Sequence, residues 1–174
     1  MIERKEMSFY DSKDLVFGEK RVTLRLAREG EDKYNEFRTG DTFLLNCEDS
    51  IQEGSILADW VVPFKDIPTE YFLAEGYKIE MDPFQDSPAM IDYLLKLVAK
   101  KDLEKYYEIN ENTMLHVIVY TPLLNENPDL FKLPNETPFE WARRCGDSVF
   151  GHLETYRTYK KSNEVHGIWS ERVW

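Results

Sequence analysis

Gly18-Glu19-Lys20-Arg21-Val22-Thr23-Leu24-Arg25 is the stretch whose reading decides the fold. Val22, Leu24 and Leu26 alternate with Arg21, Thr23 and Arg25, the period-two pattern of a half-buried strand. Upstream, residues 8–18 read as a short helix. Ser12 would cap it, Leu15, Val16 and Phe17 supply its apolar contacts, and Gly18 suits the left-handed position that closes a helix. Lys20 therefore falls in a turn between a helix end and a strand. A lysine there, near apolar walls, can lose charge by desolvation and serve as base or nucleophile. Thr23 and Arg25 add a hydroxyl and a fixed cation suited to a carbonyl or phosphate.

Downstream, Phe37-Arg38-Thr39-Gly40-Asp41 carries a Thr-Gly-Asp turn signal, and 42–47 reads as a second strand. A turn is expected around Glu53-Gly54, then a third strand from Ile56 to Val62 closed by Pro63. Asp66-Ile67-Pro68-Thr69-Glu70 looks like a helix start, with a short helix running to Glu75 and ended by Gly76. Ser87-Pro88 opens a longer helix reaching about Tyr107, with Met90, Leu94, Leu97 and Val98 as its apolar stripe. Met114 to Thr121 reads as a buried strand completing the sheet. Short strands separated by turns favour a barrel or meander.

The segment from Pro122 begins with a connector rich in Pro and Asn. Thr137-Pro138-Phe139-Glu140 is then a capping box with proline at the first helical position, opening a helix of roughly 20 residues. Ala142, Cys145, Val149, Leu153 and Tyr156 share one face of it.

At 174 residues with 42% apolar side chains, the chain can bury a core without metal or disulfide staples. Cys47 and Cys145 lie far apart in no ligand-like spacing, which argues against a disulfide framework or a zinc site and for a reducing compartment. No apolar run approaches the roughly 20 residues needed to span a bilayer, and Met1 to Glu6 lack the character of a signal peptide. A cytoplasmic protein with no membrane contact is expected. Twenty-two basic against 33 acidic residues, a net charge of −11, disfavour non-specific binding along a phosphate backbone. P-loop, G-x-G-x-x-G, G-x-S-x-G, H-E-x-x-H and Cys-x-x-Cys motifs are absent from the sequence, so no cofactor or metal is expected. His116 reads as a core or edge residue of its strand, and His152 and His166 stand alone.

The segment from Gly18 to Arg25 resembles the G-x-K-x-x-T-x-R signature of the ASCH branch of the PUA-like superfamily. Phe37 to Asp41 resembles that family's F-x-x-G-D turn, Ala74-Glu75-Gly76-Tyr77 its acidic helix end, and 114–121 its last barrel strand. The resemblance covers about residues 7–121. It implies an α+β fold: a PUA/ASCH-like β-barrel with flanking helices over residues 1–121, and a helical extension, 122–174, packed on it.

Small bacterial members of that family hydrolyse the amide of N4-acetylcytidine with a lysine, a threonine and a glutamate. By position these would be Lys20, Thr23 and Glu75, with Glu70 and Glu80 as alternatives for the acid. Lys20 would activate the attack, Thr23 orient it and Glu75 shuttle the proton, while Arg21, Arg25, Trp60 and Tyr77 would bind substrate. Two other readings stay open. In one, a binding module for RNA or a modified base uses Lys20, Arg21, Arg25 and Arg28 on phosphate and Trp60 or Tyr77 as stacking platforms. In the other, an acidic regulatory protein docks on a basic partner through the C-terminal extension, with Tyr156, Tyr159, Trp169 and Trp174 at the interface.

Overall fold

A computed structural model describes residues 5–9, 12–27, 37–75, 112–154, 156–158, 160 and 161. Five strands form one sheet: β1 Glu6–Phe9, β2 Val22–Leu26, β3 Thr42–Cys47, β4 Ser50–Pro63 and β5 Met114–Thr121. Their order is β1-β3-β4-β5-β2, with β1 parallel to β3 and every other pairing antiparallel. Among the described residues two α-helices join them, α1 Thr69–Ala74 and α2 Pro138–Phe150.

The sheet curls into a half-barrel. Laid flat, four inter-strand spacings of about 4.8 Å would put β1 roughly 19 Å from β2, with side chains perpendicular to the gap. Instead the Phe9 ring on β1 lies 5.9 Å from the Arg25 guanidinium carbon on β2 and 5.5 Å from the Tyr120 ring on β5. Met7, Phe9, Val16, Phe43, Leu45 and Tyr120 fill the inside of the curl. On the outer face Trp60, Val117 and Val119 pack against Tyr71 of α1 and Trp141, Val149 and Phe150 of α2. The α+β architecture expected from sequence is thus present as an open half-barrel, since β1 and β2 share no ladder.

Several boundaries differ from expectation. Ser8 and Phe9 belong to a strand, not to a helix, and the helical segment begins at Lys13 and widens into a π-turn over Leu15–Glu19. Gly18 sits inside that turn without a left-handed φ. Among the described glycines the left-handed one is Gly40, φ 93°, in the Thr39-Gly40 turn. The hairpin between β3 and β4 turns at Glu48-Asp49, not at Glu53-Gly54, with Glu48 taking φ 54°. Gly54 lies within β4 because a Cβ there would come 2.5 Å from the Thr121 carbonyl oxygen and 2.9 Å from the Phe43 ring. β4 spans 14 residues, and its pairing with β5 shifts register between Ile56 and Ala58. α2 spans 13 residues rather than 20, although Leu153 and Tyr156 continue its buried face beyond Gly151. The helix expected from Ser87 to Tyr107 lies outside the described residues.

Candidate functional site

Lys20 leaves the π-turn directly ahead of β2, and Glu75 caps the C-terminus of α1. The Arg21 N–H donates to the Ala74 carbonyl at 2.8 Å, which locks the end of α1 against the start of β2. That bond sets the site. Lys20 Nζ donates to Glu75 Oε1 in an ion pair whose side chains are 4% and 6% exposed.

The other carboxylate oxygen, Oε2, accepts the Leu24 N–H at 2.6 Å. Arg21 pairs with Tyr120 and Ala27 with Met114 across the ladder. By alternation, the N–H of Leu24 therefore points off the open edge of β2. Glu75 satisfies that edge donor while holding Lys20. Burial pushes the Glu75 carboxyl above the usual carboxylate range, against the opposing pull of Lys20, Arg25 and the Leu24 N–H.

Thr23 and Arg25 follow on the inner face of β2. Arg25 Nε donates to Thr23 Oγ1 at 3.1 Å, and the Thr23 side chain is buried. Phe9 underlies both cations, its ring centroid 5.5 Å from Lys20 Nζ and 5.9 Å from the Arg25 guanidinium. Arg21 is half-buried, and its NH1 donates to the Lys20 carbonyl at 2.6 Å. Burial draws its guanidinium below the ordinary value.

Lys20, Thr23, Arg25 and Glu75 are therefore brought together, with Arg21 at their edge. Trp60 is not. It projects from the outer face, where its Nε1 donates to the Glu136 carbonyl at 2.8 Å and its ring packs 5.7 Å from Tyr71 and 6.1 Å from Trp141. A ring so committed cannot stack on a ligand beside Thr23. Glu70, the alternative acid, also faces away, toward Gly146 and Tyr156. Tyr77, Glu80 and Arg28 lie outside the described residues.

A second polar unit on the same inner face escaped the sequence reading. His116 on β5 is 1% exposed and its Nε2 lies 3.2 Å from Asp59 Oδ2 on β4. Asp59 Oδ1 accepts the Thr39 N–H at 2.8 Å and the Thr39 hydroxyl at 2.9 Å. Arg38 NH1 stands 3.7 Å from Oδ2. Burial alone would raise the Asp59 carboxyl, but hydrogen bonds from His116 and Thr39 outweigh it and leave the group below its ordinary range. The available signal was one ionisable residue inside each of two apolar strands. Buried charges need partners, and two such strands side by side can supply each other's.

Among the described residues no cluster of His, Cys, Asp or Glu is arranged to hold a metal ion, and no helix is long and apolar enough to cross a membrane. A surface hollow of about 790 Å³, lined by Gln52, Glu53 and Leu123 to Asn127, involves none of the site residues.

The sequence matches no protein-family model and no curated protein. Among solved structures, the chain is similar to the ASCH domain from Lactobacillus crispatus JV V101, with 13% identity and a TM-score of 0.46 over 67% of this chain and 79% of that domain.

Proposed function

We propose that the protein is an amidohydrolase acting on an acylated nucleoside such as N4-acetylcytidine. The observation that carries this reading is the buried Lys20–Glu75 pair set beside the Thr23 hydroxyl. An amide needs an activated water, a donor for the developing oxyanion and a proton for the leaving amine. Glu75, its proton affinity raised by burial, accepts a proton from Lys20 and frees the amine. Lys20 then takes a proton from water as the water oxygen adds to the acetyl carbonyl. Thr23 donates to the oxyanion, oriented by Arg25. Glu75 returns its proton to N4 as the C–N bond breaks, which restores the Lys20–Glu75 pair and releases cytidine and acetic acid, the latter ionising to acetate.

The test is mass-spectrometric detection of cytidine from N4-acetylcytidine with the parent, Lys20→Met and Lys20→Met/Glu75→Gln. Removing Lys20 alone leaves Glu75 buried without its partner, at a cost of roughly 3–5 kcal/mol. The single variant therefore unfolds at lower denaturant than the parent, and the double variant regains much of the loss. Release by the parent, with none by the refolded double variant, is the expected result. Release by the double variant removes the pair from the chemistry.

A second reading, a binding module for RNA or a modified base, is favoured by Arg21. Its guanidinium is half-buried and donates to a backbone carbonyl, with no carboxylate partner among the described residues. This reading predicts RNA binding that weakens steeply with salt.

A further inference from the structure

Among the described residues, five of the seven buried polar or charged ones, Lys20, Thr23, Asp59, Glu75 and His116, belong to the two units just described. Strand register joins them. Arg25 faces His116 directly across β2 and β5, while Thr23 faces Ile118, so His116 is the diagonal neighbour of Thr23 on the same face. Such neighbours stand about 7–8 Å apart, within reach of one small molecule touching both.

The ring of His116 is fixed in orientation. Asp59 below its ordinary range is an acceptor, so the hydrogen between them sits on His116 Nε2. In the neutral ring Nδ1 then carries a lone pair, and this atom is buried without any hydrogen-bond partner. The flanks of the ring are less enclosed. Val61, its cross-strand neighbour on β4, is 45% exposed, and Arg25 on the other side is partly exposed. Asp59 meanwhile has both oxygens occupied by Thr39 and His116. Of the two side chains, the histidine is the one with capacity left for a ligand.

We infer that Asp59 and His116 form the specificity end of the site, with His116 Nδ1 accepting a hydrogen bond from an N–H or O–H of the bound nucleoside. This rests on the proposed nucleoside substrate. Asp59 acts as a positioning residue: it holds the imidazole in the tautomer that presents an acceptor. The donor is either the N4–H of the acetylamide or a ribose hydroxyl, and the two differ in what the acetylated base without its sugar can supply.

The experiment uses full-length protein with 15N-labelled histidine and N4-acetylcytidine as the probe. The Nδ1 resonance of His116, assigned by its loss in His116→Gln, should move on saturation while its Nε2 stays bonded to Asp59. The same movement with N4-acetyl-1-methylcytosine, which has no sugar, assigns the donor to N4, and its loss assigns it to the ribose. In parallel, Asp59→Asn keeps an acceptor for Thr39 but turns an amide N–H toward His116 Nε2, so the imidazole proton moves to Nδ1 and the acceptor there is lost. This variant should melt close to the parent and bind the nucleoside roughly tenfold more weakly, as expected for one hydrogen bond.

An Nδ1 resonance unmoved by the nucleoside overturns the inference, as does an Asp59→Asn variant with parental affinity. Cytidine release with Nδ1 unmoved would overturn the inference while leaving the amidohydrolase reading intact. Movement of Nδ1 without release would do the reverse.

Discussion

Glu70 and Glu75 leave the same short helix five residues apart, and at about 100° per residue they point to different sides. Glu75 meets Lys20, whereas Glu70 is 1% exposed with its Oε1 unpartnered, facing Tyr156, Asp147 and Lys160. Burial, only partly opposed by Lys160 and Tyr156, pushes its carboxyl up to about 8 from an ordinary 4.5. The folded chain therefore holds a proton that the unfolded chain releases. That contribution to stability is fully present below pH 4.5 and is lost as pH rises toward 8. At pH 7 the loss is roughly 3 kcal/mol. Glu70→Gln, which imitates the protonated acid, should unfold at higher urea than the parent at pH 8.5 and at nearly the same urea at pH 4.5. An unchanged difference across that range would mean that Glu70 ionises in place without cost.

At the level of elements, the start of α2 has a local cause. Thr137 Oγ1 accepts the Glu140 N–H at 3.2 Å and the Glu140 carboxylate accepts the Thr137 N–H at 3.2 Å, with Pro138 opening the first turn. Thr137→Ala should cost about 1 kcal/mol and Thr137→Ser should restore most of it, read as the shift in urea midpoint at constant slope. Equal midpoints for parent and alanine variant would show that the packing of Trp141 and Phe150 alone fixes this helix. Such a cap can be read from four consecutive residues, as could β2, β3 and β5 from their apolar patterns. β1 could not. It has four residues, and its partner β3 begins 36 positions beyond its first residue, so nothing local marks it. Gly54 misled for a related reason, because the atoms that require a glycine there belong to β3 and β5. The site divides in the same way. Lys20, Thr23 and Arg25 share one motif and were legible, whereas the pairing of His116 with Asp59 depends on a register 57 residues apart.

Across the whole molecule, the outer face of the half-barrel ties the segment beyond Pro122 to the sheet. Trp141, Ala142, Cys145, Val149, Phe150, Leu153 and Tyr156 are buried in one cluster with Trp60, Tyr71, Val117 and Val119. Polar bonds reinforce it: the Tyr71 hydroxyl donates to the Pro138 carbonyl at 2.6 Å, and Trp141 Nε1 donates to the Leu130 carbonyl at 3.1 Å. Each large apolar side chain buried contributes about 1.5–3 kcal/mol. Even counting only the five largest of the seven, their loss would amount to roughly 7–15 kcal/mol, comparable with the entire net stability of an ordinary domain. The residues beyond 127 would then be part of the folding unit rather than an appendage to it. A chain ending at Asn127 should show no cooperative urea transition and no protected amides in β4 or β5, whereas the 174-residue chain should show both. A cooperative transition in the shorter chain would mean that the sheet and α1 close their outer face without α2. That face would then be free in the shorter protein, and the Lys20–Glu75 pair, fixed through α1 rather than α2, should survive the truncation with its chemistry intact.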